Sequence, residues 1–400
     1  MTYLNKWGLM NLVLSRLTLT SCFSPCSTFC GACRIEMFDN YVKRSYSGFF
    51  HGEGCVIVIR SAFNTFLHHP LAFISCSSRI ESTNTSINVK NSKFCSCSSI
   101  YPGGAIFASH LNSVVNIEDC LFDSCYATGS YSVSFIDVGV NAGGGGCALL
   151  CSRFSVTLCC FTKCFSIERG PALFTASSGY DDAILNYSVV VGSFGGEIPI
   201  HFAKGREIMS NVNTTLNSCL YVSAAAFTFG GIQNLLQYSN IAHCLSTHSN
   251  LWETSRVFDF SISTSQGISR MCNFINNSNI NSVKCIIFSY QNLITIDSFV
   301  FCSNDSPIFN KLSGTINVIN SIFDNNQIGN ANLLSNNTLL ADICFPNQLN
   351  MRDNCFHYYT TIQIRRTYDE KCELLMKSAN FFANFETKML PIFISLIFFS

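Results

Sequence analysis

Residues 316–327 read INVINSIFDNNQ, and residues 87–98 read INVKNSKFCSCS. Both open I-N-V-x-N-S-x-F and then diverge to D-N-N and C-S-C. A chain that writes one phrase twice, more than 200 residues apart, is a candidate repeat protein, so we aligned each copy on its Phe. The template is h-x-h-x-x-[C/S]-x-F-x-x-[C/N], with h apolar. Val56, Val58, Ser61 and Phe63 begin it. Ile87, Val89, Ser92, Phe94 and Cys97 fit it fully, as do Val115, Ile117, Cys120, Phe122 and Cys125. Phe154, Val156, Cys159, Phe161 and Cys164 follow, then Ala183, Leu185, Ser188, Val190 and Ser193. The match thins to Leu216, Cys219 and Ala224 around Tyr221, and to Leu236, Ser239 and Cys244 around Ile241. It recovers with Cys272, Phe274 and Asn277, then Ile294, Ile296, Phe301 and Asn304, and ends with Ile316, Val318, Ser321, Phe323 and Asn326.

The anchors 63, 94, 122, 161, 190, 221, 241, 274, 301 and 323 lie on average about 29 residues apart. A second phrase follows several of them: PLAF (70–73), GGAIF (103–107), GPALF (170–174), PIHF (199–202) and CIIF (285–288). Alternation with period 2 inside each phrase specifies strand. A self-similar unit of this length specifies a solenoid, because one unit cannot bury its apolar face alone and stacked neighbours can. The expected fold is all-β: a single-stranded parallel β-helix of about ten coils. Equivalent residues then stack about 4.8 Å apart, like on like. Ten coils rise roughly 48 Å. The last template position, Cys97, Cys125 and Cys164 early and Asn277, Asn304 and Asn326 late, reads as an inward ladder. Stacked Asn amides bond to the copies above and below. Cys fills the same small site without needing a bond, so most Cys in the repeats are core rungs and not disulfides. AGGGGC (142–147), in the longest gap, reads as a loop. A β-sandwich also spaces strands this way, but it gives no reason to repeat side chains at fixed positions.

Composition agrees. Of 400 residues, 48% are apolar and only 12% charged, with Lys+Arg and Asp+Glu equal at 24 each. About a quarter charged is typical of soluble domains. No basic excess points to nucleic acid, and so apolar a chain is not a disordered one. Phe numbers 36 and Cys 23, an odd count that precludes complete pairing within the chain.

The phrases GGAI (103–106) and F-x-x-N (274–277, 301–304, 323–326) resemble the repeats of the chlamydial polymorphic outer membrane proteins, and similar repeats occur in surface-protein families of parasitic protists. The resemblance covers roughly residues 56–335. It implies a right-handed parallel β-helix and an adhesin-like protein of the cell surface, whose partner is a host-cell protein or glycan. The chain departs from the bacterial pattern after residue 335, where no room remains for a membrane β-barrel, so autotransport is not implied. Several copies also carry Cys where the family has Asn.

The expected organisation is an N-terminal cap over 1–55, the β-helix over 56–335, a C-terminal cap or appended region over 336–388, and an apolar tail over 389–400. Lys6 before an apolar stretch is signal-like, yet Arg16 interrupts it, and a solenoid end also needs a cap. Cys22, Cys26, Cys30 and Cys33 cluster, but the C-x-x-C at 30–33 lacks the second half of a zinc site. The tail MLPIFISLIFFS is too short to span a bilayer, which takes about 20 residues. Membrane association through it, or a strand against the last coil, are the open readings. The expected location is the cell surface or a membrane, with an intracellular location left open.

Catalysis on a β-helix needs two carboxylates in one column on adjacent coils, about 5–10 Å apart. The column four residues before each anchor reads Lys90, Glu118, Thr157, Asn186, Asn217, Gln237, Arg270 and Asp297, with no neighbouring acids. One residue after the anchors only Asp123 and Asp324 are acidic. Asp181-Asp182 are adjacent and so face opposite ways on a strand. His68-His69 has no evident partner. AGGGGC lacks the Lys-Ser/Thr of a phosphate loop. No catalytic, cofactor-binding or metal residue is assigned. The expectation is a noncatalytic interaction protein; the alternatives are a polysaccharide lyase or glycosidase, and a degenerate copy without function. The six N-x-[S/T] sequons, at Asn84, Asn186, Asn213, Asn276, Asn304 and Asn336, are no more than this composition yields by chance.

Overall fold

A computed structural model of the protein describes residues 11–22, 27–29, 34–45, 50–52, 55–66, 70–74, 86–129, 131–133, 140–177, 181–228, 233–247, 255–261, 266–280, 284–290, 292–323 and 328–339. Two compact units divide the chain, residues 1–355 and 356–400, and every described residue belongs to the first. The tail 389–400, the charged stretch 364–373, His68, His69, Asn84, Asp324, Asn326, and the cysteines at 26, 30 and 33 lie outside the described residues.

Among the described residues the fold is all-β and the strands pair in parallel, one coil on the next, in two long sheets. It is a parallel β-helix. Among the described strands the exception to parallel pairing is the hairpin Tyr131–Val133 with Val140–Ala142, which lies within the longest repeat. Each coil presents the h-x-h strand as a first wall and the Phe strand as a second. A short third wall follows, as at Tyr126–Ala127. The GGAIF-type strand closes the coil and shares a sheet with the first wall. In the fourth coil both run continuously, Ile106–Glu118, with an irregularity between His110 and Val114.

Two corners make each coil turn. Asn91 and Ser96 flank the Phe94 strand with φ of 48° and 50°, and Asp119 and Ser124 flank Phe122 with 54° and 52°. The left-handed conformation recurs at both corners in coil after coil, with Asn, Asp, Ser and even Leu158, Tyr187 and Met271 adopting it. For a residue with a Cβ this backbone costs energy. The ladders stacked directly behind each corner offset that cost.

The anchor column runs Leu19, Val42, Phe63, Phe94, Phe122, Phe161, Val190, Thr214, Ile241, Phe274, Phe301, Phe323 and Leu339, each in register with the next. Phe63, Phe94, Phe122 and Phe161 stack face to face with centroids 5.1, 5.0 and 4.7 Å apart. Two corrections follow. The rung expected at Tyr221 is Thr214, whose coil carries Glu207, Met209, Val212 and Asn217 at the other template positions. The coils also begin before Val56: strands Asn11–Ser15 and Arg34–Phe38 continue the first wall into the segment expected as a cap.

The inward ladder is present and does more than fill space. Cys97, Cys125, Cys164 and Cys244 each point Sγ at the anchor carbonyl of the previous coil, at 3.5–3.7 Å. Asn217, Asn277 and Asn304 donate Nδ2 to that same carbonyl, at 3.4, 3.0 and 2.9 Å. Each ladder Sγ also lies 3.5–3.6 Å from the carbonyl two residues before it, so its one S–H has two acceptors in reach. A second ladder of Asn40, Ser61, Ser92, Ser188, Ser239 and Ser321 lines the other corner, each accepting a backbone N–H from the coil before. Thirteen described cysteines are free thiols. Cys160 and Cys302, on the strand face away from the interior, are disulfide-bonded.

AGGGGC is a loop at residues 143–146, between strands Val140–Ala142 and Cys147–Thr157, and it is packed into the coil. Gly143 to Gly146 pack tightly on the next coil, Gly144, Gly145 and Gly146 donating to the Arg169, Gly170 and Pro171 carbonyls at 3.1 Å. A Cβ on Gly145 would sit 2.2 Å from the Phe165 carbonyl oxygen.

Candidate interaction face

The x of h-x-h points outward. Its column on the first wall begins Val13, Glu36 and then reads Ile57, Asn88, Asn116, Ser155, Ile184, Ile208, Leu235, Ile268, Thr295, Asn317 and Asn332, in unbroken register. From Ile57 to Asn332 no ionisable residue interrupts it. The ten intervals of that stretch at about 4.8 Å make a row about 48 Å long. The ends are amide-rich: Asn116 donates to Asn88 at 3.1 Å and Asn332 to Asn317 at 3.4 Å. The middle is aliphatic, and Ile268 is 40% exposed. Contiguous apolar surface facing solvent marks recognition sites more often than it occurs by accident.

Charges flank the row and are already engaged. Lys90 and Glu118 pair at 2.5 Å, Arg206 and Asp182 at 2.5 Å, and Gln237 accepts from Arg270 at 2.9 Å. The expected column four residues before the anchors holds, with Ser210 replacing Asn217. Glu118 and Asp297 stand six coils apart in it, about 29 Å, far beyond the reach of a glycosidase pair.

A second outward row, on the GGAIF-type strands, gathers groups that the sequence did not bring together: Phe107, Ala148, Phe174, His201, Ala226, Asp259 and Phe288. First-wall strands alternate between buried and half-exposed residues. Here the strands are buried on both faces, with His201 at 0% and Asp259 at 2% exposure. Ile198 and Val222 pack over Ala226. Arg256 lies over the Phe288 ring, 4.5 Å from its centroid, with Nε 3.4 Å from an Asp259 carboxylate oxygen. Ser261 donates to the other oxygen at 2.6 Å. Arg169 pairs with Glu197 at the same corner. Burial pushes the Asp259 carboxyl upward, and Arg256 only partly offsets it.

His201 Nε2 lies 2.6 Å from Thr228 Oγ1, and that hydroxyl donates its one hydrogen to the Phe202 carbonyl at 3.1 Å. His201 is therefore the donor, protonated at Nε2. Its Nδ1 is a buried acceptor without a partner. Burial, and then the nearby Arg169, hold the imidazole well below its ordinary pKa.

Among the described residues no group of three or more His, Cys, Asp or Glu is placed to hold a metal ion, and no helix is long and apolar enough to cross a membrane. The sequon residue Asn304 is an inward rung, 4% exposed, whereas Asn276 and Asn336 sit exposed at corners. The sequence signal for the first-wall row was present in the uncharged x positions; the His201 row had none, because variable loops hide which residues share a column. No protein-family model and no curated protein matches the chain.

Proposed function

We propose that the protein is a noncatalytic, adhesin-like interaction protein that meets its partner, a host-cell protein or glycan, with the first-wall row from Ile57 to Asn332. The observation that carries this reading is the row itself: eleven consecutive outward positions without a charge, aliphatic in the middle at Ile184, Ile208, Leu235 and Ile268. A solenoid offers such an extended face. The disulfides at Cys160 and Cys302 support a surface or secreted setting, since disulfides persist in oxidising compartments. The test is adhesion of the purified chain to host cells with Ile208→Lys and Leu235→Lys in place. Loss of adhesion with unchanged circular dichroism supports the reading. Unchanged adhesion refutes the row as the contact face. Pretreating the cells with glycosidases or with protease separates a glycan partner from a protein one.

A polysaccharide-active enzyme is the second reading, favoured by Asp259 alone: a buried carboxyl raised above its usual range is what a general acid needs. Depolymerase activity lost on Asp259→Asn would replace the first reading with this one.

A further inference from the structure

We infer that the buried outward row around His201 is an acid-operated latch: uptake of a proton at His201 Nδ1 loosens the corner that covers Phe174, Ala226 and Phe288. This goes beyond the adhesive reading and does not depend on it. The argument rests on where partners are and are not. At neutral pH His201 is bonded on one side only, through Nε2 to Thr228, and sits edge-on to Phe174 with centroids 5.2 Å apart. A proton on Nδ1 creates a buried N–H that needs an acceptor, and adds positive charge beside Arg169.

The charged groups around the row are Arg169 and Glu197 at the corner before it, and Arg256 and Asp259 two coils on. Both carboxylates are held by arginines. If either turns to serve His201, it leaves its arginine. Released from Asp259, Arg256 loses its hold over Phe288; released from Glu197, Arg169 loses its hold at the corner carrying Ile198. Neutral His201 keeps this cover closed, and charged His201 cannot be accommodated beneath it. The open state titrates near pH 6.5 and the closed one well below, so acid favours opening. From pH 7.5 to 5.5 the open population rises about tenfold.

Amide hydrogen exchange on the full chain tests this. Protection of strand Ile200–Ala203, corrected for intrinsic rate and taken relative to strand Ser86–Lys90, is expected to fall about tenfold from pH 7.5 to 5.5. His201→Phe should abolish the fall, because Phe107, Phe174 and Phe288 already occupy this column; His201→Leu is the second variant. An equal change in both strands, or none, in the wild-type chain overturns the proposal without any variant. A fall that persists in His201→Phe or His201→Leu overturns it as well.

Discussion

The backbone N–H of Cys244 donates to the Oδ1 of Asn277, one coil further on, at 3.0 Å. Asn277 sends its own Nδ2 back to the Ile241 carbonyl at 3.0 Å. One amide thus satisfies a buried donor and a buried acceptor of the previous coil. Cys244 offers at most the second bond: its one S–H has the Thr214 carbonyl at 3.7 Å and the Ala242 carbonyl at 3.5 Å in reach. The ladder position therefore ranks its occupants: Asn makes both bonds, Cys at most one, and an apolar residue neither.

That ranking predicts a mutational series. Asn277→Ala leaves the buried Cys244 N–H unpaired and takes a donor from the Ile241 carbonyl, and should cost about 1–3 kcal/mol. Asn277→Cys should cost roughly half as much, since the thiol keeps one donor. Urea midpoints of the two variants against wild type decide it. Equal losses would show that the site needs only a small side chain.

Glu207 stands in the lumen at 0% exposure, where the preceding coil has Ala183. Asn234 Nδ2 reaches one oxygen at 2.9 Å, while Glu207 Oε1 and Asn234 Oδ1 are unpaired. Burial raises its carboxyl well above the ordinary 4.5, the Asn234 amide opposing this only in part. The folded chain keeps this proton while the unfolded chain loses it above 4.5, so the contribution to stability is full below that value and declines as pH rises. Glu207→Gln removes the decline and lets the new amide donate to Asn234 Oδ1. It should stabilise the chain by at least about 1 kcal/mol at pH 7.5 and by little at pH 4. Thermal melts at the two pH values check this.

Phe122 sits between Phe94 and Phe161, with centroids 5.0 and 4.7 Å away. Phe122→Ala breaks the stack at its centre and opens a cavity, so a loss of about 3–5 kcal/mol is expected. Phe122→Leu should cost less. A calorimetric melt would contradict this if the two variants were equally stable.

The buried thiols predict a labelling pattern. Burial raises Cys125, Cys164 and Cys219 well above the ordinary thiol range and Cys244 to about 12, so the reactive thiolate is scarce. Among the described free cysteines, maleimide on the native chain should modify Cys55, which is exposed, and Cys95, which is half-buried. The other eleven should react only in denaturant, as peptide mapping would show.

Much of this fold was legible because the core of a β-helix is written as side chains repeated at fixed positions. Eleven-residue phrases gave the h-x-h strand, the anchor and the ladder directly. The coil of Thr214 escaped because Glu207 and Thr214 put polar residues where the template asks for apolar ones; Asn217 bonds Thr214, and Asn234 bonds one oxygen of Glu207, in ways no local pattern encodes. Leu216, taken as a template match, is instead a corner residue with φ of 57° and 61% exposure. The His201 row was hidden for another reason. Residues 201, 226, 259 and 288 share a column, yet the intervals between them vary, so only the pairing of strands reveals it.

Surface biotinylation of intact cells expressing the native gene tests the central functional claim most directly. An interaction protein that meets host partners with its first-wall row should be labelled on intact cells, to the same extent as after lysis. Labelling that appears only after lysis would contradict the adhesive reading and leave the row without an outside partner.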